Sequence, residues 1–193
     1  FHYSSAIMPP EPSSHDVRSA FRREFVSPHL WRTRIVVVSM AAIAGLVVVA
    51  FTWLAESAFG RFQKLNEHAW WAPLIWTPLC CAAIVWVTRR YVRGAGGSGI
   101  PQVMAALDPV LSGGRRPLLV SLKLSLAKIG LTSAGLLGGL SLGREGPSVQ
   151  IAAGVMLSAR RWLPRRSGIS AHSLLVAGGA AGIAAAFNTP LAG

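Results

Sequence analysis

The sequence predicts an all-α, polytopic membrane protein with re-entrant and broken helices. Three observations carry that expectation. Apolar residues make up 52% of the chain and charged ones 13%, well below the charged share of about a quarter found in soluble domains. Two windows, residues 35–55 and 69–88, contain no charged residue, and each is long enough to cross a hydrocarbon layer of about 30 Å as a helix. The basic residues sit in clusters at the ends of apolar segments and not in one continuous patch.

The first 31 residues, rich in Pro and Ser and then studded with Arg, read as a cytoplasmic segment. Residues 16–25 fit a short surface helix with Ser14 as its N-cap. Residues 32–193 read as a transmembrane domain, expected to be incomplete at its C-terminal end because Gly193 falls inside an apolar run. Within it, a first span is expected over residues 35–59 and a second over 70–92. Trp53, Trp70 and Trp71 bracket the loop between them, as residues of an interfacial belt do.

Beyond the second span the texture changes. Residues 94–101 form a glycine-rich turn, and the apolar stretch that follows, 102–107, is too short to cross, so it reads as a re-entrant half-helix. A polar loop over 108–117 precedes a third long segment, 118–142. That segment is interrupted by Gly143-Arg144-Glu145-Gly146-Pro147, with the proline in the first turn of the helix expected to resume over 148–163. The last stretch, 167–193, has no charged residue and is crowded with Gly and Ala, which lets membrane helices approach closely. Asn188-Thr189-Pro190 marks another break.

A net charge of +12 would ordinarily suggest nucleic acid. Here Arg18, Arg22, Arg23, Arg32 and Arg34 precede the first span, and Arg89, Arg90 and Arg93 follow the second. Arg115 with Arg116, then Arg160, Arg161, Arg165 and Arg166, close later segments. Counting crossings places every one of these clusters on a single side, which is the positive-inside pattern. The expected surroundings are therefore a lipid bilayer, of the bacterial inner (cell) membrane type, with the N-terminus cytoplasmic and no nucleic-acid partner. Cys80 and Cys81 are adjacent in an apolar window with no ligand-type neighbour, and read as packing residues.

The chemistry resides in the two interruptions. A helix that starts inside a membrane turns unpaired N–H groups and about half a positive charge into its surroundings, so something negative is expected there. Ser98 adds a hydroxyl at one start and Glu145 a carboxylate at the other. Glu145 is the only acidic residue after Asp108, and an ionised side chain at membrane depth costs at least about 2.5 kcal/mol. The structural alternative is an ion pair with Arg144, although neighbours in sequence seldom face each other on a helix. Intramembrane ionisable residues more often mark an ion or proton path.

Gly97-Ser98-Gly99-Ile100-Pro101, Gly143-Arg144-Glu145-Gly146-Pro147, and Ala184-Ala185-Ala186-Phe187-Asn188-Thr189-Pro190-Leu191-Ala192-Gly193 resemble, in order, three signature stretches of the CLC family of chloride channels and proton-coupled chloride antiporters. The resemblance runs from about residue 18 to the end. It implies the first half of an inverted-repeat fold that carries chloride or similar anions and, in antiporters, protons. In that likeness Ser98, with Gly99 and Ile100, coordinates the central anion. Backbone groups of Arg144, Gly146 and Pro147 line an outer site, and Glu145 is the gate and proton acceptor. The family pairs two such subunits, and its inner proton glutamate, central tyrosine and second repeat would lie beyond Gly193. Gln102 departs from the pattern, standing where many members have Glu. No enzymatic reaction, prosthetic group or metal is implied.

Three further features bear on the reading. Lys128, inside the third segment, either raises the local anion potential or is held structurally. The fit of Gly94, Gly96 and Gly99 to a dinucleotide fingerprint is accidental, since it follows a membrane span and not a strand. The rival functional class is an intramembrane serine protease using Ser98 and His172. It leaves Glu145 and its broken helix without a purpose, and His172 reads more simply as a polar interface residue.

Overall fold

The computed structural model describes residues 28–108, 110, 116–164 and 167–189, and among them every regular element is a helix. The short helix expected over residues 16–25 lies outside the described residues.

The first helix, α1 (Pro28–His68), has 41 residues, so at 1.5 Å per residue it is about 60 Å long, twice the thickness of a hydrocarbon core. It runs past the end expected near residue 59. Residues 61–68 contain Arg, Gln, Lys, Leu and Glu and no proline, all good helix formers, and extending an existing helix carries no nucleation cost. One stripe of α1, Ala44, Val48, Phe51 and Ala55, is buried against Ile151, Ala152 and Val155. Away from that stripe Val38, Leu46 and Trp53 are exposed, an arrangement suited to lipid as the solvent.

The second helix, α2 (Ala72–Tyr91), buries no residue, and Trp70 and Trp71 lie just before its start, both exposed. It is tied to the rest by the Trp76 indole, which donates to the carbonyl of Leu137 at 3.1 Å. Cys80 and Cys81 are free thiols, and Cys80 packs beside Gly138. A 3-10 turn, Arg93–Ala95, then leads into the short helix α3 (Ile100–Leu107).

The third long segment is not continuous. A single turn, α4 (Arg116–Leu119), is separated from α5 (Leu122–Leu137) by a break where the Ser121 hydroxyl caps the new helix by accepting from the Leu124 amide at 3.3 Å. Residues 138–144 are non-helical: Gly138-Gly139 ends α5, with Gly139 at φ +81°, the usual chemistry of a helix stop. The resumed helix, α6 (Glu145–Ser158), starts three residues before the expected position. The last helix, α7 (Ala171–Phe187), is capped by Ser170 and closed by Asn188 in the left-handed conformation, where the sequence marks its break.

The core is centred on α6, whose residues 146–156 are all buried among α1, α5 and α7. Added β-carbons on Gly178 and Gly182 of α7 would lie 2.7 Å from the α-carbons of Ala153 and Val149. The small-residue face of α7 therefore brings two backbones into direct contact.

Candidate functional site

Sequence chemistry sets how α3 begins. Gly97 and Gly99 have φ of +81° and +115°, backbone that side-chain-bearing residues rarely adopt. Between them the chain reverses and presents Ser98 at the helix start. A β-carbon on Gly99 would collide with the carbonyl of Gly146, and one on Gly146 with the carbonyl of Ser98. The starts of α3 and α6 thus abut backbone to backbone, and the positive ends of both helices converge on one region. The first internal bonds are Val103 N–H to Gly99 O and Ser148 N–H to Arg144 O, so the earlier amides of each first turn have no acceptor within their own helix. Pro101 and Pro147 sit in those turns and lack an N–H altogether.

Beside this junction lies a cavity of about 880 Å³ whose wall includes Ser98, Ile100, Lys128, Glu145, Gly146 and Pro147. Of the seven residues expected at the anion site, five (Ser98, Ile100, Glu145, Gly146 and Pro147) are therefore brought together. Two are not. Gly99 is buried and off that wall, with its N–H donated to the Gln102 side-chain oxygen at 2.9 Å. Arg144 lines a separate cavity of about 320 Å³, where its guanidinium meets the Glu56 carboxylate at 2.7 Å. The Arg144–Glu145 pair considered from sequence does not form. Glu145 is exposed, and among the described residues its carboxylate has no hydrogen-bonding or ionic partner.

Lys128 is held structurally. It is 3% exposed, and its ammonium donates to the carbonyl of Ala95 at 2.8 Å and to that of Gly97. His172 is exposed in the first turn of α7 and is not part of the wall around Ser98. The geometry therefore does not bring His172 to Ser98 as the base that a protease reading needs. No cluster of three or more potential metal ligands occurs among the described residues. Sequence reasoning missed Glu56 and Gln150. Glu56 gives no local signal, because its partner is 88 positions away. Gln150 gave one, as a lone amide between Val149 and Ile151 in an apolar run.

Helices of spanning length around two short helices that begin inside the protein define an integral membrane protein of the broken-helix class. A family profile described as voltage-gated chloride channel matches residues 80–193. The H(+)/Cl(-) exchange transporter ClcA of Salmonella arizonae is 36% identical over 174 residues, covering 84% of this chain and 35% of the relative. The ClcA of Salmonella newport matches with the same figures. No solved structure matches. The chain belongs to the voltage-gated chloride channel family, and it spans about a third of the length of the curated relatives it matches.

Proposed function

We propose that the whole protein moves chloride or a similar anion across a membrane in exchange for protons, through a site at the converging starts of α3 and α6. The observation that carries this reading is the abutment of Gly99 and Gly146 beside a cavity shared by Ser98 and Glu145. Two helix N-termini supply partial positive charge without a full countercharge, which suits an ion that must bind and also leave. The Ser98 hydroxyl and the first-turn backbone near Ile100 donate to the central anion. Backbone groups near Gly146 and Pro147 serve an outer position, with Arg144 as the residue that caps α6.

Glu145 acts as gate. As a carboxylate it carries the same charge as the anion and competes with it for the outer position; once protonated it loses that competition and swings aside. Its exposure and its lack of a partner among the described residues leave it free to do so. The exchange reading is supported by the relatives, which are H(+)/Cl(-) exchange transporters. In the same reading residues 1–31 are cytoplasmic, residues 32–193 are embedded in an inner membrane, and two copies of the whole protein pair.

The test uses the full-length protein in liposomes. An imposed chloride gradient is expected to drive chloride one way and protons the other, with a reversal potential that depends on both gradients. Chloride movement without protons would remove the exchange and leave the anion path; no chloride movement would overturn the whole reading.

A further inference from the structure

Arg89, Arg90 and Arg93 cluster at the end of α2, and all three are exposed. Among the described residues none of them has an ionic partner. Arg93 lies back against the helix end, its Nε donating to the carbonyl of Arg89 at 3.1 Å. The Arg90 guanidinium stands 5.6 Å from the centre of the Tyr91 ring, and Trp86 meets the same ring nearly edge-on at 5.8 Å. Arg90 and Arg93 are thus placed by contacts that use no carboxylate, and their charge stays open to an outside anion.

The helix behind the cluster has the complementary character. Ile75, Leu79, Ala82 and Trp86 recur at helical spacing, so they form one stripe, and every one of them is exposed. The stripe ends between Arg89 and Arg90. Ile75 lies about 21 Å along the axis from Arg89, further than the roughly 15 Å of one membrane leaflet that an acyl chain crosses. Membrane helices that pack on protein present small residues, as α7 does with Gly178 and Gly182. This stripe presents mostly large ones, which suits a flexible hydrocarbon chain.

We propose that the end of α2 is a docking site for an anionic phospholipid, with the phosphate held by Arg89, Arg90 and Arg93 and an acyl chain laid along the stripe back to Ile75. Positive-inside bias and the helix dipole favour arginine at this end, but they leave the open stripe unexplained. Arg160 and Arg161 make the contrast. They too are exposed and without an ionic partner among the described residues, yet they follow α6, whose residues 146–156 are all buried, so no apolar track leads away from them. The proposal rests on the membrane placement of α2 and is independent of the exchange reaction proposed above.

The experiment measures binding of phosphatidylglycerol, phosphatidylcholine and glycerol phosphate to the purified full-length protein by native mass spectrometry, alongside thermal stability. The variants are Arg90→Gln, the combination Arg89→Gln, Arg90→Gln and Arg93→Gln, and the control pair Arg160→Gln with Arg161→Gln. Each arginine beside a membrane strengthens binding of anionic lipid about fivefold. Arg90→Gln should therefore weaken phosphatidylglycerol binding about fivefold, and the combined variant on the order of a hundredfold, down to the level of phosphatidylcholine. The control pair should leave it within about twofold. Glycerol phosphate, with the charge but no acyl chain, should bind at least about tenfold more weakly than the lipid. Equal binding of the two lipids by wild type would overturn the proposal, because the rest of the whole protein would then cover the stripe or neutralise the arginines. An equal loss in the control pair would reduce the effect to general surface charge and overturn it as well. So would glycerol phosphate binding as tightly as the lipid, since the stripe would then contribute nothing. If the combined variant fails to fold, Arg90→Gln decides alone, and wild-type lipid affinity in it overturns the site.

Discussion

The starts of α3 and α6 touch each other, yet they are built in opposite ways. The α3 start has no ionisable residue at its tip, and the carbonyls behind it are held by side chains from three helices. The α6 start carries on Glu145 a carboxylate with no partner among the described residues, and its side-chain attachments are local or exposed. The Ser148 hydroxyl donates to Arg144 O at 2.8 Å, and the Arg144–Glu56 pair has side chains 42% and 61% exposed. A rigid donor set suits recognition of an ion, and a loosely held acid suits admission and refusal. On the proposed reading, the contrast divides binding from gating between the two halves of one junction.

The largest expected effect comes from forcing the halves apart. Gly99→Ala and Gly146→Ala each place a methyl group against a backbone carbonyl of the other helix start, and neither carbonyl can move without moving a helix. Overpacking of this kind costs about 1–3 kcal/mol, and Gly99→Ala adds the strain of its positive φ. Both are expected to lower chloride flux per reconstituted protein at least tenfold, since they displace the site itself. Normal flux in either variant would show that the abutment is incidental.

A much smaller effect is expected from Glu56→Gln, which removes the outer tether of α6. Exposed ion pairs contribute about 1 kcal/mol or less, so melting should shift slightly and flux should change no more than about threefold. A large loss of stability would mean that the α6 start is held as firmly as that of α3, and the contrast between them would fail.

Both helix interruptions were legible in the sequence because local chemistry specifies them: glycine and proline bracket Ser98, and they bracket Glu145. The end of α7 at Asn188 was legible for the same reason. The length of α1 was not, because residues 60–68 are polar enough to read as a loop while having the propensities of a helix. Nor was the break at Ser121, where a cap interrupts an apolar run. Gathering of Ser98 and Glu145 on one cavity was anticipated from the two helix starts. The side chains that hold the α3 turn were not, since Lys128 and Gln150 act on carbonyls 31 to 56 positions away, and no local pattern reports such a distance.

The central claim is the division of labour between Ser98 and Glu145, and one paired measurement addresses it most directly. Chloride and nitrate flux would be recorded from liposomes holding the full-length protein between about pH 3.5 and 7.5, a range that brackets ordinary glutamate titration and neutral conditions, for wild type, Ser98→Ala and Glu145→Gln. Removing the Ser98 hydroxyl should change the chloride-to-nitrate ratio about fivefold and leave the pH profile of wild type intact. Glu145→Gln, neutral and of the same shape as the protonated acid, should keep anion flux while losing its pH dependence and any coupled proton movement. A Glu145→Gln variant with the wild-type pH profile, or a Ser98→Ala variant that loses it, would contradict the account.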